Sequence, residues 1–552
     1  MTAEGVLLIV AMVVTLLFAA LVRPRRASTL DFYLAGQRIG VVTNAFAICG
    51  DYFSAASFLG VAAAVYVSGL DGVWYATGFA AGFVPVLLFV AAPLRRFGEF
   101  SIPDFLGRRL ESERVRLLAV AVVELIILSY LVPQAVGSGI VWDLLVGQGM
   151  FGLDAYVTGV LVSTFGIALA VVFGGMRGTT WTQAVQFLFM LMLLGWLAGS
   201  AVVGGFRYAT AVERLGDEPL RTSTLTPEGW RLEPVQNQLD AEAPARFDRP
   251  GARYDRISLF ALVVTLVMGT AGLPHVMNRY FTSPTGRAAR MTTVWVLGAA
   301  GMFYALAVML GTAARAIIPR APSVGWLRAL TVDGVLQVPE HALLVLGRLY
   351  GGRTGLTLLA IGAFIAVVST IAGLLLAAAA SWGHDIYERH LRPGATQRQA
   401  VRAGRLAVLV VAAISAAIAL PLEPVVLSAR FPSIVASMVT WAFALAGSAL
   451  TPVFVLTIWW RGMTATGALA GMLTGALVAV GAFLAGLAGA GGILLFPTVF
   501  AAPLSALATV LVSQRGAPPE RVEAHWMRLH GTAADRQAER LAELTIRGVD
   551  GR

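Results

Sequence analysis

Apolar runs long enough to cross a lipid bilayer recur from one end of this 552-residue chain to the other, with short polar segments between them. Hydrophobic residues make up 57% of the chain and charged residues 13%, and the mean hydropathy is +0.76. These values lie far from those of water-soluble domains, and a soluble chain of this length would also divide into several cores. We therefore predict an all-α polytopic membrane protein that is embedded in the lipid bilayer.

About thirteen transmembrane helices are predicted from these runs. The first run follows an acidic segment and precedes three arginines, which is the pattern of an N-outside anchor and not of a signal peptide. The predicted spans lie at roughly 5–22, 40–69, 72–94, 116–143, 153–173, 181–204, 257–278, 291–317, 354–381, 404–421, 432–459, 463–488 and 491–513.

The distribution of arginine predicts the orientation. Arg is the only strongly basic residue type in the chain, and the net charge is +10. With the N-terminus outside, the inside loops carry Arg, whereas outside loops such as SGLDG carry none. Because the arginines are not gathered on one face, we expect no nucleic-acid partner. The predicted location is the cell (inner) membrane, with the C-terminus in the cytoplasm.

Motifs of familiar membrane enzymes are absent from the sequence. The patterns GxxxxGK[ST], HExxH and GxSxG do not occur, which argues against an ATP-driven pump and an intramembrane hydrolase. The single cysteine, Cys49, excludes an internal disulfide framework and a cysteine-rich metal site. We predict no enzymatic activity, which leaves a secondary transporter or a channel.

Two predicted spans are interrupted by small or polar residues. The first reads AICGDYFSAASFLG at 47–60, and the second reads GTAGLPHVMNRYFT at 269–282, where Gly269, Gly272 and Pro274 break an apolar run. Broken helices expose backbone carbonyls and helix N-termini at membrane depth, where transporters bind their ligands. The broken spans are the second and the seventh. This offset predicts two five-helix repeats of opposite orientation, with one extra helix before them and two after.

This layout predicts six segments along the chain. They are the first helix with an Arg-rich link at 1–30, a first repeat at 31–204, an extracellular loop at 205–256, a second repeat at 257–459, two peripheral helices at 460–513 and a cytoplasmic tail at 514–552.

A third feature suggests a cation site. Ala366, Ser369 and Thr370 are spaced i, i+3, i+4 and therefore share one helix face. Two hydroxyls and a carbonyl, with carbonyls from a broken partner helix, suit a hard cation such as Na⁺. The alternative is that both hydroxyls bond back to carbonyls of their own helix, one turn earlier.

Several separated motifs, in order, resemble the sodium:solute symporter family, and within it the cation/acetate (monocarboxylate) permease branch. The motifs are DFYLAGQRIG at 31–40, GDYFSAASFLG at 50–60, SIPDFLGRR at 101–109, GGMRGTTWTQAVQ at 174–186 and GTAGLPHVMNRYFT at 269–282. The resemblance implies a five-plus-five inverted-repeat fold and Na⁺ as the coupling ion, with no other cofactor. It also implies that the carbonyls of Gly50 and Phe53 bind Na⁺ with the carbonyl of Ala366 and the hydroxyls of Ser369 and Thr370.

One residue departs from the pattern of sugar-transporting relatives. Gln183 follows the TTWT signature where those relatives have an acidic residue, so an ion-exit carboxylate at this point is in doubt.

The resemblance further implies a short monocarboxylate substrate, such as acetate, propionate or pyruvate. A small anion requires hydrogen-bond donors and helix N-termini. We predict these at Ser54, at Gln134, and near Gly272 to His275. His275 has two alternative roles, as a structural imidazole with satisfied hydrogen bonds or as a proton-sensitive gate.

Two intramembrane carboxylates have open roles. Asp51 is predicted to support the first break by accepting hydrogen bonds from the amides of Phe53 or Ser54, with direct cation coordination as the alternative. Gly269 and Pro274 support the second break. Glu124 is either a functional group or a structural ion, placed near the outer interface or paired with a neighbouring helix.

The predicted function is therefore symport of a short monocarboxylate with Na⁺ by alternating access. Alternatives are H⁺ as the coupling ion, another solute such as proline or pantothenate, and a receptor-like membrane sensor.

Overall fold

The computed structural model describes residues 3–22, 28–98, 100–321, 324–422, 434–486, 488 and 491–532. The arginines at 23, 25 and 26 and the tail beyond 532 therefore lie outside the described residues. Within the described part, the helices are α1 Ala3–Leu21, α2 Thr29–Leu34, α3 Val41–Tyr52, α4 Val61–Ser68, α5 Leu70–Ala81, α6 Phe83–Pro85, α7 Ala91–Phe97, α8 Ile102–Arg109, α9 Glu113–Val146, α10 Ala155–Val203, α11 Tyr208–Asp217, α12 Arg256–Gly272, α13 Pro274–Phe281, α14 Gly286–Ile317, α15 Gly325–Arg328, α16 Ala342–Ala380, α17 Gln397–Ala419, α18 Ile434–Leu445, α19 Thr451–Trp459, α20 Ala465–Ala485, α21 Thr498–Ser513 and α22 Val522–His530.

Short π-helical and 3₁₀ turns extend several of these helices. The π turns are Ala56–Gly60 before α4, Val86–Val90 before α7, Ser381–Leu391 after α16 and Ala446–Leu450 before α19. The 3₁₀ turns are Ala35–Gln37, Ile318–Arg320, Pro339–His341 and Gly492–Leu495.

In the described part of the chain, eight helices are long and apolar enough to cross a membrane, or up to ten if each bent pair is one span. Two shorter apolar helices, Gly5–Leu21 and Thr498–Ser513, come in addition. The long α10 would extend about 74 Å at ~1.5 Å per residue, more than twice a ~30 Å hydrocarbon core. Gly175 divides it with non-helical backbone angles (φ 55°, ψ −162°). The count of thirteen and the two-repeat layout stay predictions.

The two predicted helix breaks are confirmed. Helix α3 and the helix that follows it meet at 72°, and α12 and α13 meet at 41°. Phe53 has φ −81° and ψ 76°, which ends α3. Leu273 is extended (φ −70°, ψ 117°), as expected for a residue that precedes proline. The small and proline residues therefore act where the sequence pattern indicated.

The described part of the chain is mostly helical, as the predicted all-α fold class requires, and it also contains two short β-hairpins. The predicted outer loop contains α11 and a hairpin of β1 Arg221–Thr226 and β2 Gly229–Pro234. A second, shorter hairpin pairs β3 Thr331–Val332 with β4 Val335–Leu336. The side chains of β1 are mostly half-buried, and β3 and β4 have two residues each, so neither hairpin gives a clear alternation of buried and exposed residues.

The first broken helix lies in the interior of the helical bundle. Helix α3 packs against α10, α14 and α16, and α13 packs against α3 and α16. Consequently, the two breaks and the helix of Ser369 and Thr370 meet in one region.

Candidate ion and substrate site

The end of α3 redirects the backbone amides that a continuous helix would use. Ser54 would donate to the carbonyl of Gly50 in such a helix, but its amide donates to the Tyr52 carbonyl instead (2.9 Å). Ser57 would donate to the carbonyl of Phe53, and its amide donates to the Ser54 carbonyl (3.0 Å). The break therefore withdraws the usual helical donors from the Gly50 and Phe53 carbonyls.

The hydroxyl pair of α16 lies against this break. The Thr370 hydroxyl donates to the carbonyl of Asp51 at 2.7 Å. The Ser369 hydroxyl is buried and has no hydrogen-bond partner among the described residues. The alternative that both hydroxyls bond back to their own helix is thus wrong for both residues. Ala366 lies one turn earlier on α16 and is fully buried.

Asp51 forms an ion pair with Arg279 of α13. The guanidinium Nε donates to the Asp51 Oδ2 at 3.2 Å, and both side chains are buried. The other carboxylate oxygen of Asp51 has no partner among the described residues. The predicted capping role is wrong, because the Phe53 amide donates to the Cys49 carbonyl (2.8 Å) and the Ser54 amide to Tyr52. Asp51 instead connects the two broken helices through charge.

Three side chains of α10 contact Arg279, and one of them is Met176, whose Sδ lies 3.2 Å from the guanidinium. The guanidinium donates to the Thr180 hydroxyl at 2.7 Å and to the side-chain carbonyl of Gln183. The Gln183 amide donates to the backbone carbonyl of Ser369 at 2.7 Å. At the position where sugar-transporting relatives have an acidic residue, the Gln183 side chain therefore connects Arg279 to α16.

Close packing fixes the Asp51 carboxylate. A Cβ atom added to Gly373 of α16 would lie 1.8 Å from the Asp51 Oδ1, and one added to Gly50 would lie 2.3 Å from the Gln183 carbonyl oxygen. Only glycine permits these approaches between α3, α10 and α16.

The predicted substrate residues Ser54, Gln134 and His275 lie around Tyr130. The Tyr130 hydroxyl donates to the Ser54 hydroxyl at 3.4 Å, and its ring meets the His275 ring edge-on, with centroids 5.3 Å apart. The Gln134 side-chain carbonyl accepts from the Ala55 amide at 3.2 Å. Its Nε2 and both His275 nitrogens are buried without hydrogen-bond partners among the described residues. The structural role of His275 with satisfied hydrogen bonds is therefore wrong.

The family model of the sodium:solute symporters matches residues 32–475, which is more than half of the chain. The chain belongs to the sodium:solute symporter family.

A curated relative supports this membership. The symporter is 33% identical over 488 residues to the "Uncharacterized symporter YwcA" of Bacillus subtilis (strain 168), covering 87% of this chain and 86% of that relative.

Solved structures share the fold. One describes the substrate-bound, outward-open state of a Na⁺-coupled sialic acid symporter with a novel Na⁺ site. It matches with a TM-score of 0.70 at 16% identity, covering 94% of this chain and 99% of that one. Mhp1, a nucleobase-cation-symport-1 family transporter in a closed conformation, matches with a TM-score of 0.51 at 12% identity, covering 90% and 98%. This protein is therefore a sodium-coupled solute symporter and not an enzyme, and a receptor-like sensor is not favoured.

In the symporter, the predicted glycines of the second break are packing residues. A Cβ atom on Gly269 would lie 2.6 Å from the Phe443 carbonyl oxygen, and one on Gly272 would lie 2.5 Å from the Ala446 carbonyl oxygen. Pro274 begins α13. The predicted substrate contact at Gly272 stays a prediction.

The pairing of Glu124 with a neighbouring helix stays a prediction. Its Oε1 is buried and has no hydrogen-bond partner among the described residues, and the π turn Ser381–Leu391 packs against α9. Glu124 lies in the first half of α9, so the expected position near the outer interface disagrees with the predicted orientation.

Sequence analysis of the symporter missed Arg279 and Tyr130. Arg279 follows directly after the predicted span 257–278, in an inside loop of the predicted topology, yet it is 1% exposed. Its position five residues after Pro274, inside a broken membrane helix, was an available signal, since a charge at that depth is a functional candidate by default. Tyr130 gave no signal beyond its i, i+4 spacing from Gln134.

Proposed function

We propose that the symporter imports acetate or a related short monocarboxylate, such as propionate or pyruvate, together with Na⁺. The unpaired polar atoms beside the first break are the main support. Gln134 Nε2 is a buried donor with no partner among the described residues, and His275 offers a second N–H there. A buried donor without an acceptor is costly, and a carboxylate supplies the missing acceptors.

The surroundings of these donors favour a small solute. The Tyr130 ring packs edge-on against Phe443 at 5.8 Å, and Phe443 packs against Tyr52 at 5.9 Å. Tyr52 in turn bonds the Thr270 hydroxyl at 2.8 Å. Because these aromatic rings pack against one another, they leave room for a solute of a few heavy atoms and not for a large one.

For the cation we propose the five predicted ligands. The Gly50 and Phe53 carbonyls lack their usual helical donors, and the Ser369 hydroxyl lacks a partner among the described residues. Such a set of neutral oxygens suits Na⁺. The other two ligands are the Ala366 carbonyl and the Thr370 hydroxyl.

The proposed coupling acts through the α3 break. Na⁺ between α3 and α16 would hold the break in one conformation. The same break positions Ser54 and the Ala55 amide, which donates a hydrogen bond to the Gln134 side chain. Each ligand then favours the conformation that the other requires, which is the thermodynamic basis of symport.

The proposed topology follows the arginine distribution. The N-terminus lies outside, the C-terminus lies in the cytoplasm, and the segments keep the predicted boundaries 1–30, 31–204, 205–256, 257–459, 460–513 and 514–552 in the cell membrane.

Labelled acetate uptake into proteoliposomes tests the proposal. Uptake should follow an imposed Na⁺ gradient and not a pH gradient alone, and unlabelled propionate and pyruvate should compete. Uptake driven by pH alone would assign H⁺ as the coupling ion. Competition by proline or pantothenate without competition by propionate would assign another solute.

A substitution of Gln134 tests its proposed role in substrate binding. Gln134→Glu keeps an oxygen for the Ala55 amide but replaces the free donor by a negative charge. We expect the KM for acetate to rise at least about tenfold, on the order of 1.4 kcal/mol. Gln148→Glu, at an exposed position, is the matched control.

A further inference from the structure

A second buried polar cluster lies where the π turn after α16 meets α8, on the side predicted to be cytoplasmic. Its members are Asp104, His384, Asp385 and Glu388, here called the inner cluster. The first three are between 0% and 2% exposed. One ligand atom from each of these three lies within 4.8 Å of the others.

The imidazole of His384 has a defined orientation. Its Nδ1 contacts the Glu388 Oε2 at 2.9 Å, and its ring packs against Phe100 with centroids 4.4 Å apart. The opposite nitrogen, Nε2, is buried, lies 3.4 Å from the Asp104 Oδ2, and is not aligned for a hydrogen bond to it. A histidine held by a carboxylate on one nitrogen, with the other directed at a second ligand, is the usual arrangement in metal sites.

Asp385 is held in a similar way. The Ser101 hydroxyl donates to its Oδ2 at 2.7 Å. Its Oδ1 is buried and has no hydrogen-bond partner among the described residues. This buried carboxylate oxygen lies beside the His384 and Asp104 ligand atoms and is available to bind a metal ion.

The inner cluster brings several carboxylates together in the interior. Three carboxylates meet there, and Arg116 supplies a guanidinium, 3.4 Å from the Asp104 Oδ1. Arg116 also pairs with Glu113, so its charge is shared. Buried carboxylates require positive charge nearby, and a bound cation supplies it.

The distances suit a small divalent ion. Ligand atoms at about 2.0–2.2 Å from Zn²⁺ in tetrahedral geometry lie about 3.3–3.6 Å from one another. The 3.4 Å between His384 Nε2 and Asp104 Oδ2 falls in this range. One imidazole with two carboxylates is a ligand set for first-row transition metals, not for Na⁺ or Mg²⁺.

We propose that Asp104, His384 and Asp385 bind one divalent transition-metal ion of the Zn²⁺ class, with Glu388 and Ser101 orienting the ligands. Glu388, whose side chain is 27% exposed, marks the solvent-facing edge of the site. The ion joins α8 to the inner end of the helix that carries Ser369 and Thr370, and so stabilises their contact.

The binding test uses the purified full-length protein in detergent, stripped of metal with a chelator. ZnCl₂ titrated by calorimetry should give one high-affinity ion per chain, and Zn²⁺ should raise the melting temperature. His384→Gln and Asp385→Asn should each raise the Kd at least tenfold. His390→Gln, which removes an exposed imidazole from the same turn, is the control and should leave the Kd unchanged.

Co²⁺ provides a second measurement that needs no variant. Its visible absorption bands in the wild-type protein should have the intensity of a four-coordinate site and should disappear when Zn²⁺ is added. Equal Zn²⁺ affinity in wild type and His384→Gln, or no stoichiometric binding, overturns the proposal. Neither measurement depends on the transported solute.

Discussion

Replacing Ser369 and Thr370 together by Ala removes both hydroxyls that α16 presents to the α3 break. If they bind Na⁺, the Na⁺ concentration for half-maximal acetate uptake should rise at least tenfold, on the order of 1.4 kcal/mol. Uptake at graded Na⁺ concentrations in proteoliposomes measures this. Thr357→Ala is the control, because that hydroxyl bonds the Arg353 carbonyl of its own helix. Unchanged Na⁺ dependence in the double variant would rule out the assignment.

Asp51→Asn tests whether the carboxylate braces the breaks or binds the cation. The substitution leaves the Arg279 guanidinium buried without its counter-charge, and breaking a buried ion pair typically costs about 3–5 kcal/mol. We expect a large loss of thermal stability in detergent. Adding Arg279→Gln should recover much of that stability, because the uncompensated charge is then gone.

Asp51→Glu is the companion variant. The extra methylene has no room, since Gly373 directly abuts the Asp51 carboxylate. We therefore expect reduced stability although the charge is kept. An Asp51→Asn protein that melts normally but has lost Na⁺ dependence would show that Asp51 is a ligand.

At the scale of secondary-structure elements, α22 is the C-terminal helix that the structure describes, and it docks onto the bundle. His530 Nε2 contacts the Ile458 carbonyl at 2.8 Å, and the Arg461 guanidinium lies 4.7 Å from the centre of the Trp526 ring. The sequence predicted only a cytoplasmic tail here, but the tail contains a helix whose His525 and Leu529 are buried. Amphipathic periodicity alone does not tell whether a surface exists to receive a helix face.

Docking of α22 should depend on pH through His525. Burial, reinforced by the positive charges of Arg109 and Arg528, lowers the pKa of this imidazole to about 4. The unfolded state, with a pKa near 6.5, then binds the proton more readily. Stability is fully present above pH 6.5 and falls progressively as pH drops towards 4.

Melting curves between pH 7.5 and 4 measure this effect. His525→Gln removes the titrating group, so the fall in melting temperature over this interval should be smaller than in wild type. An identical fall in both proteins would exclude His525 as its source.

At the scale of the whole molecule, Asp71 anchors the segment 205–256. Its carboxylate accepts from the amides of Gly251 (3.1 Å), Arg253 (2.8 Å) and Tyr254 (3.2 Å). Charge-assisted bonds of this kind are stronger than neutral ones. The anchor holds the C-terminal end of this segment against the start of α5.

Trypsin added to the outside of spheroplasts tests both the anchor and the orientation. It should cleave at exposed arginines within 205–256, such as Arg231, and spare the tail. Asp71→Asn should accelerate cleavage severalfold, whereas Asp240→Asn, in the exposed part of the loop, should not. Cleavage of the tail from outside would reverse the proposed topology.

The sequence by itself determined the membrane character, the positions of both helix breaks and the hydroxyl pair of α16. These depend on the length of apolar runs, on glycine and proline, and on spacing within one helix, all of which are local. It also pointed to Gln134 and His275, but not to the contacts that they make.

The tertiary structure alone decided the partners. Thr370 meets Asp51 across 319 residues, and Arg279 meets Asp51 across 228. The inner cluster likewise joins Asp104 to His384, on helices far apart in the chain. No local pattern encodes such pairs, because they arise only when helices from distant segments pack and leave buried polar groups to satisfy one another.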